Sequence, residues 1–346
     1  MSLGEPIVNA GVEAWLESVR SRTDKVKVLC GMRGCGKSLA FAAFRQRLVA
    51  EGVPEGDLVA LDFERRQCRH LKTSADILAY LASFPTDRVR HLFLEGVSAL
   101  REFASLFDPL LASGRWNVWM AVSNRRCLRP LGRKALVRRM WWRSDIRRDE
   151  QTLDRLWHTA FARDVPYGLR HIDIRAYSAL VEYLFDHVGE EMSVRGISRD
   201  FRALGLAISP NTVKSYIDAL EDSYLVEVAS CWDFFEKGVT KSGFQAYPVG
   251  LELRAHRYGP SPEEEPRRQC LSSLYLQLRE EYDKVYFTRE PTVPFVTLGK
   301  NRKPTCWSYD IVNENSDIIA KKCALPPPIR HCSGQPPANE PTLAIG

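Results

Sequence analysis

Eight residues near the start of the chain, Gly31-Met32-Arg33-Gly34-Cys35-Gly36-Lys37-Ser38, satisfy G-x-x-x-x-G-K-[ST] at every fixed position. No other feature of the sequence narrows the fold as far. Its glycines let the backbone turn tightly enough for successive N–H groups to converge on one anion. Lys37 adds a charge suited to the β- and γ-phosphates, and Ser38 adds a hydroxyl suited to Mg²⁺. The motif keeps this meaning only between a strand and a helix, and both flanks comply. Lys25–Cys30 (KVKVLC) alternates and is rich in β-branched residues. Lys37–Ala50 carries Leu39, Phe41, Ala42, Phe44 and Leu48 on a helical repeat until Gly52 and Pro54 stop it. The helix start adds the positive end of its dipole to the phosphate site. All eight residues of the loop are therefore expected to bind nucleotide, ATP with Mg²⁺.

The run beyond the loop alternates strand with helix. A short amphipathic helix, Gly11–Arg20, precedes it. Strands are expected at Leu58–Phe63, Arg90–Leu94 and Trp116–Val122, with helices at Ser74–Phe84 and Arg101–Ala112. Such alternation implies an α/β fold, a parallel sheet covered by helices on both faces. A P-loop enzyme needs an acid on a neighbouring strand to organise Mg²⁺, and a second carboxylate to activate water. Glu95 ends the strand HLFLE where the metal-organising acid belongs. The next position, where the base would stand, is Gly96. Asp62 and Glu64 end the other early strand and are the available substitutes. Binding is thus expected, with weak or absent hydrolysis.

Charge is unevenly distributed. Residues 125 to 148 hold ten Arg or Lys against one Asp, a local net of +9 in a chain whose total is +6. Such a block fits an anionic partner, nucleotide phosphate or nucleic acid; equally it fits a solvated helical face. Trp141 and Trp142 within it could stack on bases or on arginines. Nine cysteines are scattered with no Cys-x-x-Cys pair, which suits reduced thiols better than a disulfide framework or a zinc site. No apolar run approaches the roughly 20 residues that span a bilayer. The N-terminus lacks the basic and apolar regions of a signal peptide. A cytoplasmic protein with no membrane partner is expected.

Farther along, Ser193–Leu204 and Ser209–Leu220 read as two helices joined at Gly205, the second capped by Ser209 with Pro210 at its first position. Leu225–Ala229 would be the first strand of a wing, and Phe234–Gly243 a turn-rich connection. In a DNA-binding helix-turn-helix the start of the second helix touches bases, which singles out Asn211, Thr212, Lys214 and Ser215. Asp218, Glu221 and Asp222 on the same helix would repel phosphates and favour a packing role instead.

Several blocks in order resemble a prokaryotic group of AAA-type ATP-binding proteins that join a P-loop domain, a winged helix and a C-terminal domain related to restriction endonucleases. KVKVLCGMRGCGKS is similar to the family's P-loop, HLFLEG to its second acidic motif, and VWMAVSNRR to the strand ending in a polar sensor, here Ser123-Asn124. FARDV and IDIRAYSALVEYLFDHVGEEMS resemble the segment leading into the winged helix, and ISPNTVKSYIDALEDSYLVEVA the winged helix itself. AYPVGLELR and LSSLYLQLREEYDKVYF resemble the start of the terminal domain. The resemblance implies catalytic roles for Glu95 and Asn124, with Mg²⁺ held by Ser38 and Glu95. It also implies an arginine finger at Arg133 reaching a neighbouring copy in a homo-oligomer. This chain departs from the pattern at Glu95-Gly96, where the family has Asp-Glu. It departs again at Thr292-Val293-Pro294-Phe295-Val296 and at Leu271-Ser272-Ser273, which lack the family's nuclease acids, so no nuclease activity is expected. The chain is also shorter between Asn124 and Phe161, where the family has its ATPase lid.

The expected organisation is a P-loop domain over residues 1–150, a helical and winged-helix region over 151–232, a truncated α+β nuclease-like domain over 233–311 and a disordered proline-rich tail over 312–346. Two functions remain in view, an ATP-dependent switch and a winged-helix DNA-binding protein on a degenerate P-loop scaffold.

Overall fold

In the computed structural model, which describes residues 10–100, 102–142, 148–169, 171–259, 265–298, 303–311 and 318–323, the apolar runs around the glycine-rich loop become one parallel sheet. The chain runs α1 (Ala10–Ser18), β1 (Val26–Cys30), α2 (Lys37–Ala50), β2 (Leu58–Asp62), α3 (Ser74–Ala82), β3 (Arg90–Glu95), α4 (Phe107–Ser113), β4 (Trp116–Val122) and β5 (Ala135–Arg139). The sheet order is β2-β3-β4-β1-β5, every pairing being parallel. Burial follows that order. Every residue of β1 and β4 is buried, the mark of strands covered on both faces, whereas the edge strands β2 and β5 each keep exposed positions.

Aromatic rings pin α2 to the sheet. Phe44 meets Trp119 edge-on at 4.8 Å and Phe41 meets Phe93 at 5.4 Å. Each ring so buried contributes roughly 2–3 kcal/mol. The parallel strands all end at the same edge, so the loop after β1 stands beside Glu95 at the end of β3 and Val122 at the end of β4. That edge is where open α/β sheets bind ligands. The helix expected at Arg101–Ala112 is shorter, a 3₁₀ turn at Phe103–Leu106 leading into α4; Arg101 lies outside the described residues.

A helical stretch follows. α5 (Glu150–Thr159) is capped by Asp149 and widens into a π turn at Ala160–Asp164. α6 (Ile174–Asp186), α7 (Val194–Ala203) and α8 (Pro210–Asp222) are capped by Asp173, Ser193 and Ser209 respectively. Ser209 accepts from the Thr212 N–H and Pro210 opens the helix, as the sequence pattern requires. After β6 (Val226–Asp233) and β7 (Gly238–Pro248) comes α9 (Leu251–Tyr258). Among the described residues no helix is long and apolar enough to cross a membrane.

Two compact units result, Met1–Val228 with Ala246–Arg268 and Ala229–Gln245 with Gln269–Gly346. The second is built on a six-stranded sheet of order β11-β10-β9-β8-β6-β7, where β8 is Val285–Phe287, β9 Phe295–Leu298, β10 Pro304–Ile311 and β11 Ile318–Cys323. α10 (Glu265–Glu281) contributes Tyr275, whose ring lies 5.6 Å from that of Phe295.

Three expectations are corrected here. The turn-rich connection Phe234–Gly243 is a tight turn followed by β7, which already begins at Gly238. The tail expected to be disordered from 312 contains β11; Ile318–Cys323 carries two β-branched residues and pairs antiparallel along all of its length with β10. Residues 312–317 and 324–346 lie outside the described residues. Finally, the basic block is not a helical face. Its described part is two 3₁₀ turns and β5, because residues 135–139 complete the sheet beside β1; 143–147 lie outside the described residues.

Candidate nucleotide site

The loop between β1 and α2 is shaped by contacts that only glycine permits. Gly31 has φ +153°, and a Cβ there would lie 2.2 Å from the Met140 carbonyl oxygen. Gly34, at φ +83°, faces Leu156 of α5, whose Cδ1 would be 2.7 Å from an added Cβ. The loop is thus clamped between the end of β5 and α5. Its Gly31 N–H donates to the Val122 carbonyl and the Met140 N–H donates to that of Cys30. Arg148, a residue of the basic block, braces it further by donating to the Gly34 carbonyl at 3.1 Å and to Glu252 at 3.1 Å. At the start of α2 the N–H groups have no intrahelical acceptor and are left for an anion.

Lys37 is buried and folded back on the loop. Its Nζ donates to the carbonyls of Gly31 (2.7 Å) and Met32 (2.9 Å). A bound phosphate would take over these donors. Ser38 Oγ donates to Glu95 Oε2, so the hydroxyl and the carboxylate expected to share a metal are already together. A hard cation prefers oxygen ligands, and Mg²⁺ takes one or two from protein and the rest from phosphates and water. Ser38 and Glu95 fit that demand. A cavity of about 300 Å³ opens here, lined by Lys37, Ser38, Asp62, Glu64, Glu95 and Ser123 among others, at the lower end of the range for small-molecule sites.

Arg33, a variable position of the motif, is the centre of an ionic cluster. It grips Asp164 through Nε (2.7 Å) and Nη2 (2.8 Å), and Glu64 through Nη1 (3.0 Å) and Nη2 (2.9 Å). Burial alone would push the Glu64 carboxyl up, but Arg33, aided by Arg163 at 3.5 Å, outweighs it and holds the group below the usual carboxylate range. Asp164 is more deeply buried, and burial pushes its carboxyl up against the pull of Arg33. The sequence pattern did not link Asp164 or Arg148 to the loop, which they join only through the fold.

The other expected site residues are placed as follows. Asn124 is buried at the end of β4 and does not line the cavity. Its Oδ1 accepts from the Arg126 N–H (2.8 Å) and its Nδ2 donates to the Asp164 carbonyl (2.6 Å). Ser123 takes the lining position. Arg133 precedes β5 at the edge of the sheet opposite the loop, its carbonyl accepting from Lys25 Nζ at 3.1 Å. Five residues of strand, roughly 17 Å, separate it from the phosphate loop of its own chain. The shortened stretch before Phe161 does not leave the loop uncovered, since α5 and the π turn pack directly on it through Leu156 and Asp164.

The basic block meets the acidic helix. Arg126 Nε donates to Asp222 at 2.6 Å and Arg129 adds a contact at 3.2 Å. Arg125 pairs with Glu221 (3.3 Å) and Glu227 (3.4 Å), and Arg139 with Glu227 at 2.7 Å. Tyr224, buried at φ +60°, lies between the Arg125 and Arg139 guanidiniums at 5.2 and 5.1 Å. The two tryptophans stack on arginines, Trp141 with Arg139 at 3.5 Å and Trp142 with Arg148 at 3.8 Å. The block is therefore turned inward at Arg125, Arg126 and Arg139, and the expectation of a free surface for an anionic partner over 125–148 does not hold for them. Two of the acids on α8 that would repel DNA, Glu221 and Asp222, are partners of Arg125, Arg126 and Arg129.

Asn211, Lys214 and Ser215 are exposed on α8, with Thr212 half-buried; Lys214 pairs with Asp218 at 2.9 Å. In the second unit, the positions where the resembled family has acids hold the exposed Thr292, the half-buried Pro294 and, on α10, the buried Ser272, while Val293, Phe295 and Val296 lie in the apolar core.

Comparison with known proteins adds the following. Residues 139–243 match a family described as a domain of unknown function (DUF8612). An uncharacterized protein of Haemophilus influenzae is 21% identical over 280 residues, covering 68% of this chain and 70% of its own. Among solved structures, the Walker-type ATPase of Pyrococcus abyssi superposes with a TM-score of 0.39 at 10% identity, over 71% of this chain and 95% of that one. PCH-2 of C. elegans gives 0.28 at 12% identity, over 61% and 67%. The α/β P-loop fold is read from the chain's own sheet order and loop.

Proposed function

We propose that this chain is an AAA-type ATP-binding protein that uses Mg²⁺ and acts as a nucleotide-dependent switch with weak hydrolysis and no nuclease activity. The observation that carries the reading is the loop itself. Gly31 has no room for a side chain, Lys37 stands ready to exchange carbonyls for phosphate, and Ser38 already meets Glu95. Each is what a phosphate cradle requires, and Lys37, Ser38 and Glu95 line one cavity. Weak hydrolysis follows from Gly96, which brings no carboxylate next to Glu95. A switch follows from Arg33 and Leu156, through which the loop touches the helical stretch. Nucleotide replacing the Lys37 and Arg33 contacts would alter how that stretch packs.

Asn124 and Arg133 keep their proposed roles only under conditions. Asn124 would have to exchange Asp164 for nucleotide. Arg133 would have to reach a second copy in a homo-oligomer, since its own loop is at the far edge of the sheet. Equilibrium binding of labelled ATP with Mg²⁺ tests the main reading. Micromolar to millimolar affinity lost in Lys37→Ala is expected, and absence of binding by the unaltered chain at millimolar nucleotide overturns it.

A second reading, DNA binding through α7 and α8 as a winged helix, has one observation in its favour. Arg195, Arg199 and Arg202 recur at i, i+4 and i+7 on α7, all exposed, in the helix before the exposed Asn211, Lys214 and Ser215. The first helix of such a unit crosses the phosphate backbone. Lys214→Glu and Arg199→Glu should each flatten the salt dependence of DNA affinity; affinity indifferent to salt removes this reading.

A further inference from the structure

The carboxylate that position 96 lacks is supplied in space by another strand. Gly96 has φ +66°, and a Cβ built there would lie 2.8 Å from Glu64 Cγ, 3.1 Å from Glu64 N and 3.2 Å from Asp62 Oδ1. The side chain of Glu64 thus fills the volume into which a residue at 96 would project. The arrangement follows from register. β2 and β3 run side by side with Asp62 opposite Glu95. Beyond Asp62 the chain turns as the Glu64 N–H donates to Asp62 Oδ1 at 3.1 Å, and this brings residue 64 back over the end of β3. Glu64 lines the same cavity as Lys37, Ser38 and Glu95. It faces the nucleotide site, yet both its oxygens are occupied by Arg33, and Arg163 stands at 3.5 Å.

We propose that Glu64 is the general base of this site, and that Arg33, shared between Glu64 and Asp164, holds it in reserve. The inference rests on the nucleotide-binding reading and makes hydrolysis latent. In the step, the oxygen of a water attacks the γ-phosphorus and the bond to the β–γ bridging oxygen breaks. The water proton passes to the Glu64 carboxylate, and ADP and inorganic phosphate leave. Only ATP and water are consumed. While Arg33 binds both oxygens, its positive charge makes the Glu64 carboxylate a weaker acceptor for a water proton. A γ-phosphate entering beside the loop competes for the same guanidinium, which has five donors in a planar fork suited equally to carboxylate and phosphate. Asp164 retains the other edge of Arg33, so the exchange at Glu64 is also felt at the π turn that ends α5.

The experiment uses the full chain and measures ATP·Mg²⁺ affinity and steady-state phosphate release separately, across pH 5 to 9. Arg33→Gln is expected to raise phosphate release at saturating ATP by about tenfold or more. Arg33→Lys keeps the loop's charge but cannot grip two carboxylates, and it should show a rise too, which guards against the glutamine variant binding poorly. Adding Glu64→Gln to either should remove the gain, lowering phosphate release roughly 100-fold while affinity changes little, in line with loss of a general base. The pH profile of Arg33→Lys should show an acid limb, and this limb should vanish in the Glu64→Gln double variant. The proposal is overturned if both arginine variants bind nucleotide and turn over at the unaltered rate, or if the gain survives Glu64→Gln. Absence of nucleotide binding by the unaltered chain overturns the underlying reading first, and this one with it.

Discussion

The inward-facing basic block makes a quantitative claim at Asp222. Its carboxylate, on the last residue of α8, receives Arg126 at 2.6 Å and Arg129 at 3.2 Å. The side chains of Asp222 and Arg126 are 9% and 17% exposed, whereas that of Arg129 is 69% exposed. Asp222→Ala leaves Arg126 with the Tyr167 carbonyl as its remaining acceptor in this contact. Truncating one partner of a buried pair costs about 3–5 kcal/mol. Partial exposure of Arg126 puts the expected loss near the lower end, about 3 kcal/mol. The exposed Arg129 contact adds less than ~1 kcal/mol. In a double-mutant cycle with Arg126→Ala the coupling should be about 2 kcal/mol, within the range for residues in direct contact. With an unfolding slope of roughly 3 kcal/mol per molar urea, the midpoint of Asp222→Ala should fall by about 1 M. The assay is urea unfolding followed by tryptophan fluorescence for the four proteins of the cycle. A coupling below about 0.5 kcal/mol with an unchanged midpoint would mean that the block is not held by α8. The anionic-partner reading of 125–148 would then return.

Four further outcomes follow from the same structure. Gly31→Ala should abolish nucleotide binding, since its Cβ meets the Met140 carbonyl at 2.2 Å; isothermal titration retaining affinity within threefold contradicts the clamped loop. Glu95→Gln should reduce the Mg²⁺-dependent part of ATP affinity about tenfold and leave the metal-free part alone, a comparison made by titrating with and without chelator. Gly96→Glu, which would restore the motif on paper, should destabilise the chain by about 2 kcal/mol through crowding against Glu64 and positive φ, with no gain in turnover; a gain would show that Glu64 does not occupy that place. Burial pushes Lys27 down from 10.5 to about 7. The folded state then binds fewer protons than the unfolded state between about pH 7 and 10.5, so this group makes stability rise with pH across that window. Lys27→Met should remove that part of the slope, and unfolding curves at pH 7 and 9.5 whose difference matches the unaltered chain would refute it.

What the sequence determined by itself was whatever is written in contiguous residues. The phosphate loop, its flanking strand and helix, the Ser209-Pro210 helix start and the apolar strands β3 and β4 were all legible, because turn chemistry and burial periodicity act over a few residues. The carboxylate at Glu95 was legible for the same reason, standing at the end of a strand. Glu64 was visible as an acid at a strand end, but not as the side chain that fills the space above Gly96, since that depends on the register of β2 against β3. Charge was the poorest guide. The net of +9 over residues 125–148 and the acids of α8 looked like opposing signals about DNA while they were separated by some 90 positions of chain. Tertiary structure decided the matter by placing α8 against the turn that follows β4, so that Arg126 and Asp222 satisfy each other. Asp164 and Arg148 reached the loop by the same route. A local pattern states which groups a residue can bind. Only the packing of distant elements decides which of those groups is within 3 Å, and in this chain that choice separates a surface for partners from a brace for the nucleotide loop.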